Sequence, residues 1–297
     1  MAHRRMHPDE LPIDDALVRR LLAEQFPEWA ALPLRRVASA GTVNALYRLG
    51  DELVVRLPLQ AGKAGGVLHE HEWLPRLAPL LPVATPVLHA RGTPTPEYPV
   101  PWSVYGWLEG ENPVPGGLDA PELLAADLAS FVAALRQADP HGAPTSHRGF
   151  LLAPRDDDVR RCIAEASDEV DAEAATAAWE AALAAPPWTG PPVWTHSDLL
   201  PGNLLVARGR LSGVLDWAPS GVGDPACDLI PAWYVLPSSA RGSFRSALGA
   251  DDATWERGRG WALSIGLIAL PYYRISNPVM ADYARYVIRE VLTESHR

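Results

Sequence analysis

The stretch WTHSDLLPGNLLV, Trp194 to Val206, sets His196, Asp198 and Asn203 beside a Pro-Gly pair, spaced H-x-D-x-x-x-x-N. Asp216 follows eighteen positions after Asp198, in GVLDW. These residue types suit phosphoryl transfer, which needs a triphosphate neutralised and a hydroxyl aimed. Mg2+ meets the first need and prefers hard oxygen ligands. The carboxylate of Asp216 and the amide oxygen of Asn203 are the candidate ligands. Asp198, kept off the metal, would orient or deprotonate an acceptor hydroxyl, with His196 bracing the loop. The plainer reading makes Asp198 and Asn203 turn formers around Pro201-Gly202 and Asp216 a strand terminus. Three fixed types at this spacing arise by chance on the order of once per ten thousand start positions, which favours the chemical reading.

The elements must bring Asn203 and Asp216 together. NLLVARGRLSGVLDW reads as a β-hairpin turning at Arg208-Gly209, with Asn203 where it starts and Asp216 where it ends. Upstream, Asp14 to Phe26 reads as an amphipathic helix with acids at its start. LPLRRVAS, ALYRLG and DELVVRLPL form an antiparallel meander. GGVLHEHEWLPRLAPLL is helical, with Pro75 expected to bend it or end its first part. TPVLHARG and VPWSVYGWLEG are two further strands. After GENPVPGG the pattern turns helical: Pro121 opens a strong helix, one or two helices fill Arg155 to Leu183, and the chain is mostly helical from Pro225. The expectation is an α+β protein, residues 1–107 forming a β-rich lobe and 108–297 a mainly helical lobe with a small β insert.

HSDLLPGNLLV, GVLDW and GVGDPACDL resemble, in this order, the aminoglycoside phosphotransferase family, small-molecule kinases related in fold to protein kinases. The resemblance spans nearly the whole chain. It implies a bilobal kinase-like fold with ATP or GTP as co-substrate between the lobes, Asp198 as catalytic aspartate, and Asn203 and Asp216 as Mg2+ ligands. It assigns Asp224 and Asp228 to anchoring the loop and starting a helix, and Asp224-Pro225 independently reads as an N-cap followed by an N1 proline. The family usually begins this loop with His-Gly-Asp. Ser197 replaces the glycine here, a swap costing about 1 kcal/mol if the position requires positive φ.

On the nucleotide side, ASAGTVNALYRLG joins two strands through a small-residue loop, whose N–H groups at Ser39, Gly41, Thr42 and Asn44 could cradle phosphates. No Walker A or G-x-G-x-x-G pattern accompanies them. By the resemblance, Arg56 stands where a kinase's third strand offers its phosphate-pairing lysine. Its carboxylate partner should lie on the next helix, at Glu70, with Glu72 in reserve. Tyr105, Gly106 and Trp107 form the connector whose backbone would meet the purine.

Composition narrows the partners. The net charge of -10 argues against nucleic acid and suits a cationic ligand, or is the ordinary acidity of a soluble protein. The segment RDDDVRRCIAEASDEVDAEA carries eight acids that suit a polyamine antibiotic or form a solvated helix face. WALSIGLIALPYYR could line an apolar pocket for a macrolide, or pack as core. Two cysteines outside any CxxC pattern fit a reducing cytoplasm. No apolar run nears the length of a membrane span. The lead expectation is a monomeric or homodimeric kinase acting on a hydroxyl of an aminoglycoside-like antibiotic. A metabolic kinase for an amino alcohol, sugar or macrolide is the second, and a non-catalytic nucleotide sensor the third.

Overall fold

A computed structural model describes residues 9–38 and 41–294. The chain divides into two compact units, one of Met1–Pro79 with Ala84–Glu109, the other of Leu80–Val83 with Gly110–Arg297.

The first unit opens with helix α1 (Asp15–Gln25), capped by Asp14, whose carboxylate accepts from Leu17 N at 2.8 Å. Leu17, Val18, Leu21 and Leu22 recur at helical spacing and form its buried stripe. An antiparallel sheet follows from β1 (Leu34–Arg36), β2 (Asn44–Leu49), β3 (Leu53–Pro58), β4 (Leu88–Gly92) and β5 (Trp102–Gly106), in the order β1-β2-β3-β5-β4. Strict alternation in β2 buries Ala45, Tyr47 and Leu49 against α1 residues and Trp102.

Helix α2 (Ala64–Leu77) connects β3 to β4 and continues past Pro75 to Leu77, so the proline does not end it. Proline cannot donate to the carbonyl four residues back, here that of His71. Arg91 of β4 takes over, its Nη2 donating to His71 O at 2.9 Å. The orphaned acceptor is satisfied and the helix continues.

The second unit holds α3 (Pro121–Arg136), α4 (Asp156–Glu165), α5 (Ala172–Ala184), α6 (Pro231–Tyr234), α7 (Ser238–Ala247), α8 (Asp252–Tyr273) and α9 (Pro278–Glu294). Helix α8 packs on α9, α5 and α4, and α7 lies on α3. Trp179, Trp194, Trp217, Trp233 and Trp261 are fully buried among them. The apolar run of α8 is core: Trp261, Ala262, Leu263, Leu267 and Leu270 are all buried. No described helix is long and apolar enough to cross a membrane.

Two small antiparallel sheets are inserted between α5 and α6. β7 (Leu204–Ala207) and β8 (Arg210–Val214) form the expected hairpin. Arg208 and Gly209 at its tip have φ of 54° and 73°, the paired left-handed conformation of a tight two-residue turn. The second sheet pairs β6 (Val193–Thr195) with β9 (Gly221–Gly223). The sequence pattern does not mark β9 as a strand, because three residues with two glycines carry no periodicity.

Candidate active site

The chemical loop leaves β6 at Thr195 and reaches β7 through a single helical turn at Pro201–Asn203. His196 and Ser197 are fully buried, Asp198 and Asn203 half-buried. Asp198 N points at His196 Nδ1, 3.3 Å away. His196 Nε2 lies 2.9 Å from Leu215 O. These contacts assign the proton to Nε2, which donates to Leu215 O, and leave Nδ1 as acceptor. The ring edge rests on Trp217, centroids 4.9 Å apart. His196 therefore ties the Asp198 loop to the residue preceding Asp216.

Asn203 and Asp216 are brought together by the hairpin. Leu204 pairs with Val214, and Leu215 N donates to Asn203 O at 2.8 Å, so Asp216 lies one residue past the closing pair. Asp216 itself has φ of 57°, which turns the chain sharply as it leaves β8. Asn203 Nδ2 donates to Asp198 O at 2.8 Å and to Asp198 Oδ2 at 2.9 Å. That spends the amide nitrogen on Asp198 and leaves Oδ1 as the oxygen donor of the side chain. An amide oxygen and a carboxylate fit Mg2+, which retains waters and substrate oxygens beside few protein ligands. Among the described residues no group of three or more His, Cys, Asp or Glu forms a closed metal cage.

Two acids underpin the loop. Asp228 is fully buried; its Oδ2 accepts from His196 N at 2.9 Å and its Oδ1 from Ser197 N at 2.7 Å. Burial pushes the Asp228 carboxyl up, opposed by His196, the two backbone N–H groups and Arg136. Asp224 caps the helical turn Pro225–Leu229 by accepting from Ala226 N at 2.9 Å, with proline at its first position. It also pairs with Arg257, at 2.7 Å from Nε and 3.1 Å from Nη2.

Ser197 has φ of 62°, the left-handed region that a glycine would occupy without a Cβ penalty. Its hydroxyl donates to Pro219 O at 2.9 Å. Sequence reasoning missed Arg148, which is buried and donates through Nε to Ser197 O and through Nη2 to Asp198 Oδ1. Fifty positions separate it from Asp198, and no spacing signal links them.

In the first unit, Arg56 Nη1 donates to both oxygens of Glu70 at 2.7 Å. Glu72 faces outward and meets Arg76 at 3.5 Å. With its amide oxygen turned inward, Asn44 accepts from Arg56 Nη2 at 2.9 Å and Nε at 3.0 Å. Asn44 is thus a partner of Arg56 at the start of β2. Gly41 and Thr42 lie in the loop before it, and Ser39 lies outside the described residues. Lys63 is exposed.

The connector residues are committed within their own unit. Tyr105 is buried, its hydroxyl donating to Glu70 Oε2 at 3.3 Å. Gly106 N donates to Val87 O at 2.8 Å and Trp107 N to Glu52 O at 2.7 Å. These two N–H groups are spent on the sheet. The Arg48 guanidinium stacks 4.0 Å over the Trp107 ring.

The acid-rich segment is partly neutralised. Asp156 pairs with Arg160, Asp158 and Glu165 with Arg161, Asp168 with Arg274 and Glu169 with Arg285. Asp171 caps α5. Five of the eight acids are thus in ion pairs, shared among four arginines.

The fold matches solved structures along nearly its whole length. The GDP complex of wild-type aminoglycoside 2'-phosphotransferase-IIIa has a TM-score of 0.74 at 18% identity, covering 95% of this chain and 100% of that one. The gentamicin complex of APH(2'')-IIa gives 0.63 at 17%, covering 95% and 97%. The apoenzyme of macrolide 2'-phosphotransferase MphH from Brachybacterium faecium gives 0.61 at 24%, covering 93% and 98%. At these identities the likeness establishes the kinase-like fold. No curated protein sequence matches the chain significantly. The sequence profile of the phosphotransferase enzyme family matches residues 33–261, more than three quarters of the 297. The chain belongs to the phosphotransferase enzyme family.

Proposed function

We propose that the protein transfers the γ-phosphoryl group of ATP or GTP to a hydroxyl of a small molecule. The observation that carries this reading is the Asp198 carboxylate, fixed through both oxygens by Arg148 and Asn203, with Asn203 O accepting from Leu215 N, next to Asp216. Asp198 orients the acceptor hydroxyl and receives its proton. His196 holds the loop through Leu215 O. Asn203 Oδ1 and the Asp216 carboxylate hold Mg2+, which when bound neutralises charge on the nucleotide phosphates. Arg56, supported by Glu70 and Asn44, presents a forked cation to phosphate oxygens, and the backbone N–H groups of Gly41 and Thr42 add donors. Residues 1–107 serve as the nucleotide lobe, with the connector Tyr105–Trp107 meeting the purine through groups other than the two committed N–H donors. Residues 108–297 carry the chemistry and the acceptor.

The acceptor is an aminoglycoside-like antibiotic in the first reading, supported by the kind of ligand borne by proteins of this fold. A less cationic acceptor such as a macrolide is the second. It is favoured by the arginine-matched acids and by the exposed side chains of Phe150 and Leu151, 37% and 55% accessible, just past Arg148. The deciding experiment follows phosphoryl transfer from MgATP and MgGTP to a panel of aminoglycosides, macrolides, amino alcohols and sugars, with Asp198→Asn as control. The variant should bind nucleotide and transfer nothing. Wild-type turnover in Asp198→Asn would remove Asp198 from the mechanism, and nucleotide binding without transfer to any acceptor would favour a sensor.

A further inference from the structure

We infer that Arg148 is a positioning residue for the reaction, holding Asp198 at the angle from which it meets the acceptor. The inference rests on the reading of Asp198 given above and adds a residue that no motif of the loop contains. Its basis is the disposition of both carboxylate oxygens. Oδ2 is held by Asn203 Nδ2 at 2.9 Å, and Oδ1 by Arg148 Nη2. The same guanidinium grips Ser197 O through Nε. One planar fork thus fixes the backbone before Asp198 and its side chain together, a geometry that a single ammonium cannot reproduce.

The segment bearing Arg148 is built for fixed delivery. Thr145 bridges to Val222 of β9. Ser146 N donates to Val222 O at 3.0 Å, Val222 N to Pro144 O at 2.8 Å, and His147 N to Pro219 O at 2.9 Å. Asp224 N closes the far side on Gly149 O at 3.2 Å. This contact needs the two glycines of β9. A Cβ on Gly221 would fall 2.6 Å from Pro144 O and Ser146 N, and one on Gly223 2.6 Å from Gly149 O. The GVG of GVGDPACDL is therefore a seat for the Arg148 segment. Pro219 O receives both His147 N and the Ser197 hydroxyl, so segment and catalytic loop share one anchor.

A merely structural Arg148 would satisfy a buried carbonyl, and its loss would lower the folded fraction without slowing the folded enzyme. The test separates these by counting active molecules. Arg148→Met, Arg148→Lys and Asp198→Asn are assayed for phosphate release from MgATP and MgGTP, with water and with each panel compound as acceptor. Rates are expressed per nucleotide-binding site from calorimetry. Positioning predicts that Arg148→Met lowers kcat by about 100-fold with the nucleotide Kd unchanged, the scale of a misplaced reacting group. Arg148→Lys, which keeps the charge but not the fork, should recover only part of it. Should the methionine variant fail to fold, the lysine variant decides alone. A kcat within about twofold of wild type in either folded variant, with Asp198→Asn inactive, overturns the role of Arg148 and leaves the proposed function standing. Activity in Asp198→Asn itself overturns the reading of Asp198 instead.

Discussion

Replacing Asp228 by asparagine tests whether the Asp198 loop is held from beneath by a buried anion. The change is isosteric, so no cavity is created and packing terms drop out. Asp228 presents two oxygens to two N–H groups, at 2.9 Å to His196 and 2.7 Å to Ser197. Asparagine has one oxygen and one NH2 group. One N–H keeps a neutral acceptor, while the other faces a donor in a fully buried site. Losing the charge assistance of one bond and leaving the other N–H unsatisfied costs about 2.5–6 kcal/mol together, at 1–3 for each unpaired buried group and up to 1.5–3 for each charged bond. Part is returned because the raised carboxyl of Asp228 shows that its ionisation already works against burial.

The net expectation is about 3 kcal/mol of lost stability, a fall in Tm of roughly 6–12 °C for a unit of this size. Function should suffer more than fold. His196 and Ser197 are the two residues before Asp198, and a shift of about 1 Å there costs on the order of 100-fold in kcat. Differential scanning calorimetry and transfer kinetics at a temperature well below both transitions separate the two effects. A variant with wild-type Tm and wild-type kcat would refute the idea that the Asp228 carboxylate sets the loop.

Asp216→Ala should weaken Mg2+-nucleotide binding while leaving metal-free nucleotide binding intact; unchanged affinity by calorimetry in both conditions would contradict metal ligation. Arg56→Ala should raise the nucleotide KM or lower kcat, and Glu70→Gln, which removes the charge that holds Arg56, should do the same more weakly; wild-type kinetics in both would make the pair purely structural. His71 is pushed down to about 4 from the usual 6.5 by burial, with Arg91 and Arg56 adding to the effect. Its neutral form is the folded form, hydrogen-bonded to Ser103 Oγ at 2.7 Å. The stability it contributes is therefore complete above pH 6.5 and is lost as pH falls towards 4, up to about 3 kcal/mol at 1.36 per pH unit. Urea midpoints at pH 7 and 4.5, compared with His71→Gln, measure it; parallel losses in both proteins would exclude His71.

Legibility in the sequence followed the range over which each feature is encoded. The hairpin between Asn203 and Asp216 was readable because strand alternation and the Arg208-Gly209 turn are local. The choice of Glu70 over Glu72 was encoded by helical period. Val67, Glu70, His71, Leu74 and Leu77 form the buried face of α2, and Glu72 falls outside that stripe. What escaped depends on partners distant in the chain. Pro75 does not break α2 because Arg91, sixteen positions on, takes the carbonyl it cannot reach. Gly106 and Trp107 looked like open backbone, yet Val87 and Glu52 claim their N–H groups. The acid-rich segment reads either as a cation surface or as a solvated helix face, and the partners that match part of it, Arg274 and Arg285, lie more than a hundred residues away.

Ser197 shows how a local rule and a distant compensation combine. A non-glycine residue at φ of 62° costs about 1 kcal/mol or more in backbone strain. Glycine would avoid that, but it would lose the hydroxyl bond to Pro219 O, of about 1 kcal/mol, and would enlarge the unfolded ensemble by a further 0.4–1 kcal/mol or so. The terms nearly cancel, so the serine is tolerated without strain left to explain. The hydroxyl also does something glycine cannot. It joins the catalytic loop to the carbonyl that receives His147 N, one residue before Arg148. The substitution that departs from the family's usual loop is thus the one that couples this loop to the segment carrying Arg148, and Arg148 in turn grips the Ser197 carbonyl from the other side. A chain that restores glycine at 197 should keep its stability within about 1 kcal/mol yet depend more heavily on Arg148 for the placement of Asp198.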